Sequence, residues 1–284
     1  MLPLQGKLVS RHKNEYAGPC PFKGIGRDRF HWWAGSNNWW CRKDCPDCPG
    51  EPCPTGGRRG WFKNGETGRF RVLPPPERPK MSQVWKYHRN LDRHTLEYLT
   101  SRGIRRDTAS RFLVGRNHRR LTIPNVVRNG HAVCYGIKKR WNGTPPEPWI
   151  DKYTMEPGSR GLSIFNYNRL ISRTHWPYFL IVEGVLDCML LDQLGIPAAA
   201  PFGGGGVWDP RWNRSFDRVD QVIHVADWDE PDEDGARQGT KYALKRIKSM
   251  KRGLLVFPPG GYGDLGEAYL AGENISAWVR QRAN

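Results

Sequence analysis

Hydrophobic residues recur in three different rhythms along this chain. In the first third they are short and aromatic: Arg29-Phe30-His31-Trp32-Trp33 and Asn38-Trp39-Trp40-Cys41 flank Ala34-Gly35-Ser36-Asn37, which predicts a hairpin. In the middle, Leu91, Thr95, Leu96 and Leu99 follow helical spacing up to Arg102-Gly103, and a second short helix is expected over 107–112. Strand-like runs follow at 121–124 and 132–137. The last third alternates: strand 178–182, helix 185–194, strand 197–202, strand 221–226, helix 236–250, strand 253–257 and helix 275–281. Apolar strands alternating with helices predict a parallel α/β sheet.

Proline divides the chain. Leu73-Pro74-Pro75-Pro76-Glu77-Arg78-Pro79-Lys80 excludes helix and central strand and reads as a stiff, extended linker. A weaker boundary falls near 174–177, giving three expected parts: 1–76, 77–175 and 176–284. The first carries 13 basic and 6 acidic side chains, the second 20 and 7, and the third 12 and 15. The overall charge of +17 is thus confined to the first two parts, and so basic a chain expects a polyanion, usually nucleic acid. With 12% aromatic residues and 13 Trp it is not a disordered chain. Mean hydropathy is −0.71, no run approaches a membrane span, and the N-terminus has no secretory h-region, so neither a membrane nor a secreted protein is expected.

The last third places acids where the predicted strands end. Phe179-Leu180-Ile181-Val182 runs into Glu183-Gly184, with Asp187 one helical turn further on. Val222-Ile223-His224-Val225-Ala226 runs into Asp227-Trp228-Asp229, whose two carboxylates share a side because side chains alternate along extended chain. After the third strand, Phe257-Pro258-Pro259-Gly260-Gly261-Tyr262-Gly263 leads to Asp264 and Glu267. Ligands of open parallel sheets sit beyond the carboxyl ends of the strands. Oxygen donors gathered without basic partners suit a hard cation such as Mg²⁺. Asp232, Glu233 and Asp234 read instead as ordinary first-turn or loop acids. Gly203–Gly206 is not a Walker loop, because Val207-Trp208 stands where Lys and Ser/Thr are required, and it reads as a connector.

Val182-Glu183-Gly184, Asp227-Trp228-Asp229 and Pro259-Gly260 ahead of Asp264 resemble the Toprim domain of primases, topoisomerases and related nucleases. Tyr98-Leu99 with Arg102-Gly103-Ile104, then Arg120-Leu121 with Ile123-Pro124, and Lys152-Tyr153 ahead of Ile164-Phe165-Asn166, are similar in order to the polymerase core of bacterial and phage DNA primases. The resemblance spans roughly residues 15 to 272 and departs from the family in the longer, more acidic loop 230–234. It implies an α/β protein, α+β overall: a small N-terminal β zinc ribbon over 1–76, a mixed α+β basic subdomain over 77–175 and a Toprim domain over 176–284. It further implies template-directed RNA primer synthesis in the cytoplasm of a bacterial or phage-infected cell. Glu183, Asp227 and Asp229 would hold Mg²⁺ or Mn²⁺, with Asp187 and Asp264 as outer or second-metal ligands. Lys152 and Arg140 match basic positions facing template or nucleotide. Single-stranded DNA and NTPs would be the partners; no GxxxxGK[ST] occurs in the chain, so any helicase is expected to be a separate protein.

Five of the seven cysteines precede residue 54, which favours metal over disulfides in a chain without an export signal. Cys20-Pro21-Phe22 resembles the first knuckle of a primase zinc ribbon, but Lys23 occupies the second ligand position. Cys41, Cys45 and Cys48 offer three further donors, so Cys20, Cys41, Cys45 and Cys48 form the expected Zn²⁺ set, with Cys53 or His31 as substitute. Cys134 and Cys188 lie in apolar runs and read as core. On the predicted hairpin, one Trp of each pair faces the small core and the other is available to stack on unpaired bases; Trp33 and Trp40 are assigned that second role. Two other functions share these features: a Toprim nuclease, and a non-catalytic single-strand-binding replication module.

Overall fold

The computed structural model describes residues 5–10, 15–22, 29–34, 36–42, 49, 51–52, 58–62, 71–72, 77–142, 151–172, 174–228, 238–250 and 252–283. It forms two compact units, Met1–Pro76 with Pro146–Asp151, and Glu77–Pro145 with Lys152–Asn284.

The first unit is a sheet of β1 (Gln5–Ser10), β2 (Glu15–Gly18), β3 (Phe30–Trp33), β4 (Asn38–Cys41), β5 (Glu51–Pro52), β6 (Arg58–Trp61) and β7 (Arg71–Val72), in the order β5-β6-β4-β3-β2-β1-β7. Its pairs are antiparallel except β1 with β7. The hairpin expected from the aromatic runs is β3–β4, with Trp32 opposite Trp39 and His31 opposite Trp40. Strict alternation sends Phe30, Trp32, Trp39 and Cys41 into one buried cluster with Cys20 and Phe62.

The second unit begins with α1 (Met81–Arg89), α2 (Arg93–Thr100) and α3 (Arg106–Arg111). The helical pattern legible in the sequence begins only at Leu91, after α1, because α1 buries just Val84 and Tyr87 and two apolar positions make a weak pattern. Asp92 caps α2, its Oδ1 accepting the Thr95 N–H at 3.0 Å. The strands β8 (Gly115–Asn117), β9 (Arg120–Asn129), β10 (His131–Trp141) and β11 (Tyr153–Met155) form an antiparallel sheet in the order β11-β10-β9-β8.

Then come β12 (Ile164–Phe165), α4 (Tyr167–Ile171), β13 (Trp176–Val182), α5 (Val185–Gln193), β14 (Ala198–Pro201), β15 (Val219–Val225), α6 (Gln238–Lys248), β16 (Gly253–Val256), α7 (Leu265–Leu270) and α8 (Ile275–Ala283), with a 3₁₀ turn over Pro210–Phe216. The second sheet has the order β12-β14-β13-β15-β16, parallel except at the short edge strand β12. Phe179–Val182 are buried, as expected for a strand covered on both faces. All nine residues of α5 are buried too, which explains why this helix is apolar nearly all round rather than along one stripe. Leu99, Ile104, Leu121 and Ile123 from the antiparallel part join Leu180, Met189, Leu190 and Ile223 in a single core. Cys134 and Cys188 are both buried.

Candidate active site

Val182, Val225 and Val256 lie level with one another across β13, β15 and β16. Glu183 is therefore the first residue past β13 and Asp227 the second past β15, on neighbouring strands about 4.8 Å apart. The Ala226 N–H donates to Val256 O at 3.0 Å, and the Trp228 N–H donates to Gly263 O at 2.8 Å. That second bond ties the segment carrying Asp227 to the loop just ahead of Asp264. Asp229 lies outside the described residues.

Asp187 and Asp264 meet at the start of α7. Gly266 donates its N–H to Asp187 Oδ1 at 3.2 Å, while Asp264 Oδ1 caps the helix by accepting the Glu267 N–H at 2.7 Å. Arg102, on the turn after α2, donates to Asp264 Oδ2 at 2.8 Å. Burial and then the Asp264 charge push the Asp187 carboxyl up to about 7, against the opposing pull of Arg102. Gly184 has a steric role here, since a Cβ on it would collide with Asp187 Oδ2. Among the described residues no three His, Cys, Asp or Glu side chains converge closely enough to hold a metal ion. Asp187 and Asp264 make a pair.

Glu183 stands against the glycine loop, and a Cβ at Gly205 would collide with its Oε2. Below that loop Arg246 of α6 is 3% exposed. It donates from Nη2 to Gly205 O at 2.6 Å, lies 3.1 Å from His224 Nε2 through Nη1, and stacks 4.4 Å from the Trp208 ring centre. Burial pulls its guanidinium down to about 10 while the Glu183 charge holds it up; burial and then Arg246 pull His224 down to about 3, so that imidazole is neutral. Sequence reasoning assigned nothing to Arg246, His224 or Trp208, because helix, strand and loop meet here without a local motif.

Cations border the acid pair. Lys152 is exposed; slight burial, then Arg140, then Arg102 lower its pKa, and Asp264 opposes them. Arg140 is 5% exposed, donates from Nε to the Tyr153 hydroxyl at 2.8 Å, and lies over the rings of Tyr98 and Tyr153 at 4.9 and 5.3 Å. Lys138, two residues earlier on the strand, is 8% exposed and held between Tyr153 and Phe202; burial lowers it to about 8.

In the first unit Trp33 and Trp40 are half-buried on the face opposite the aromatic cluster, with His31 between them at 6.4 and 5.6 Å. His31 Nδ1 lies 2.7 Å from Glu15 Oε1. Cys20 and Cys41 are 1% and 0% exposed, and Cys45, Cys48, Cys53 and Lys23 lie outside the described residues.

No protein-family model matches this chain, and no curated protein matches it in sequence. Solved structures do match. The zinc-binding and RNA polymerase domains of the Aquifex aeolicus primase align at 18% identity and a TM-score of 0.55, over 95% of this chain and 78% of theirs. The primase fragment of the bacteriophage T7 primase-helicase protein aligns at 14% and 0.52, over 93% and 97%. The chain has the fold of the bacterial and phage primases. A third match, the E. coli primase catalytic core, aligns at 18% and 0.52 over 71% of this chain and 80% of that one. Among the described residues no helix is long and apolar enough to cross a membrane.

Proposed function

We propose that this chain is a DNA-directed RNA polymerase that lays short RNA primers on single-stranded DNA by metal-assisted nucleotidyl transfer. What supports the reading is that Glu183 and Asp227 follow the carboxyl ends of the neighbouring parallel strands β13 and β15, that the Trp228–Gly263 bond ties in the segment ahead of Asp264, and that Arg102 and Lys152 lie near Asp264. A primase catalytic domain bound to single-stranded DNA is among the matched structures, at 18% identity and a TM-score of 0.52.

The donor set fits a hard divalent ion. It is made of carboxylate oxygens, and burial first and the neighbouring Asp264 charge second disfavour the ionised form of Asp187, a cost that a bound cation would offset. Glu183, Asp227 and Asp229 would hold Mg²⁺ or Mn²⁺, with Asp187 and Asp264 as outer or second-metal ligands. Bound there, such an ion would polarise the nucleotide phosphates and make the attacking hydroxyl more acidic. The remaining work falls to the chain's own groups. Arg102 and the Glu267 N–H fix the Asp264 carboxylate, and the packed loop at Gly205 lies against that of Glu183. Lys152 supplies mobile positive charge for a triphosphate or template phosphate. Arg140, clamped between tyrosines, supplies a fixed one.

In the first unit, Trp33 and Trp40 would stack on unpaired template bases. Zn²⁺ would be held by Cys20, Cys41, Cys45 and Cys48; the buried thiols of Cys20 and Cys41 belong to one cluster, which suits a structural rather than a catalytic ion.

The test is incubation with labelled single-stranded DNA, NTPs and Mg²⁺. New short RNA products are expected. Shortened DNA without new RNA would make the chain a nuclease, and binding without either product a recruitment module.

A further inference from the structure

Three arginines and one buried carboxylate line a cleft that the acid site does not use. Arg111 at the end of α3 donates from Nη2 to Asp192 Oδ2 at 2.9 Å, and Arg169 of α4 donates from Nε and reaches with Nη2 to Oδ1 at 2.7 and 2.6 Å. The Asp192 side chain is 4% exposed, whereas those of Arg111 and Arg169 are 48% and 42% exposed. Arg128, at the far end of β9, is exposed and has no ion-pair partner among the described residues. Together with the half-buried rings of Phe112 and Trp176 they border a cleft of about 370 Å³. Asp192 shares α5 with Asp187. Five residues along a helix place them about 7.5 Å apart on its axis and roughly 140° apart around it, so the cleft and the acid pair lie on different sides of α5.

We propose that this cleft binds the phosphate of a nucleotide, free or within a strand. Arg111 also lies 3.8 Å from Asp107 through Nη1, so two carboxylates face three guanidinium groups and one positive charge is left for an anion to balance. Asp192 holds two guanidinium groups in place without exhausting their donors: Arg169 Nη1 has no hydrogen-bond partner among the described residues. A planar fork fixed beforehand loses little freedom on meeting phosphate oxygens. A volume of this size takes a small ligand, and the aromatic walls suit a base or sugar rather than a bare ion. If the arginines served only to tie α3 and α4 to α5, Arg128 would have no part in the arrangement.

Arginine labelling of the full chain with phenylglyoxal, mapped by peptide mass spectrometry, tests this. Keeping EDTA present leaves the acid site idle, so the result does not depend on primer synthesis. Inorganic triphosphate, ATP and a short oligothymidylate are the probes, with Arg93, whose side chain is 92% exposed on α2, as reference. At probe concentrations a few times Kd, labelling of Arg111, Arg128 and Arg169 is expected to fall about threefold or more, with Arg93 unaffected. Protection by ATP and triphosphate alone assigns a free nucleotide; protection by the oligonucleotide assigns a strand. Arg128→Ala, at an exposed position, should keep the fold and weaken protection of Arg111 and Arg169 severalfold. No protection, equal protection of Arg93, or indifference to Arg128→Ala would overturn the proposal.

Discussion

Asp187 and Asp264 come from different segments to the same turn of backbone: the Gly266 N–H donates to one, and the other caps the helix in which Gly266 lies. Arg102 pairs with Asp264 and its charge also acts on Asp187, which is 8% exposed. Its raised pKa has a definite consequence for stability.

In metal-free protein, Asp187 keeps its proton up to about pH 7, whereas an unfolded chain releases it near 3.8. Between those values the folded state binds more protons, so this group's contribution to stability falls as pH rises from about 4 to about 7 and is level above. Thermal melts in EDTA should show the decline, and Asp187→Asn should flatten it. An unchanged slope in the variant would place the titration elsewhere.

Glu183→Gln and Asp227→Asn each remove a negative charge at the strand ends. Several kcal/mol of transition-state stabilisation is at stake, so primer synthesis should fall on the order of a hundredfold or more. Single-strand binding, measured by fluorescence anisotropy, should persist, because the basic excess lies in the first two parts of the chain. It should also weaken steeply with added salt as counterions are released.

Gly205→Ala would set a methyl group against Glu183 Oε2. The carboxylate must turn away or the loop must shift, and the loop is pinned by Arg246. Circular dichroism should stay unchanged while primer synthesis needs more Mg²⁺ and runs at least about tenfold slower, the usual scale for an ångström-level misplacement. Equal Mg²⁺ dependence in variant and wild type would show that the loop does not position Glu183.

Lys138 offers the opposite pH signature. Buried between Tyr153 and Phe202, it titrates near 8 in the folded chain, against 10.5 once the chain is unfolded. From about pH 8 to 10.5 the unfolded chain binds more protons, so stability from this group rises with pH. Lys138→Met should raise the melting temperature at pH 7, on the order of 2 kcal/mol of stability, and the gain should vanish near pH 10.5. A melting temperature lowered at pH 7 would mean that its contacts with the two rings outweigh its burial.

Neighbouring tryptophans should separate fold from binding. Trp39 is 3% exposed in the aromatic cluster, and Trp39→Ala should cost the first unit about 3–5 kcal/mol. Trp40 faces the other side of β4, and Trp40→Ala should leave the melting of that unit nearly unchanged while weakening oligonucleotide binding by about 1–3 kcal/mol. Loss of binding in neither variant would remove the hairpin from the template path.

The parts legible in the sequence were those with local rules. Short aromatic runs on either side of a turn marked β3 and β4, and apolar runs ending in acids marked β13 and β15. Less visible were elements defined by remote packing. α1 buries too few side chains to show a period, and α4 spans only Tyr167–Ile171. The pairing of Arg102 with Asp264 and the stack of Arg246 on Trp208 join residues far apart in the chain, and no local spacing reports such contacts. Gly203–Gly206, read as a connector, gains meaning only once Glu183 is seen against Gly205.

The level alignment of Val182, Val225 and Val256 bears on how this protein can change over evolutionary time. Adding or deleting one residue within β15 would swing Asp227 to the other face of the sheet. Lengthening the chain after the bond from Trp228 to Gly263 leaves that geometry intact. Tolerance to insertion is therefore expected to begin just past the Asp227 segment, where this sequence carries Glu230, Asp232, Glu233 and Asp234.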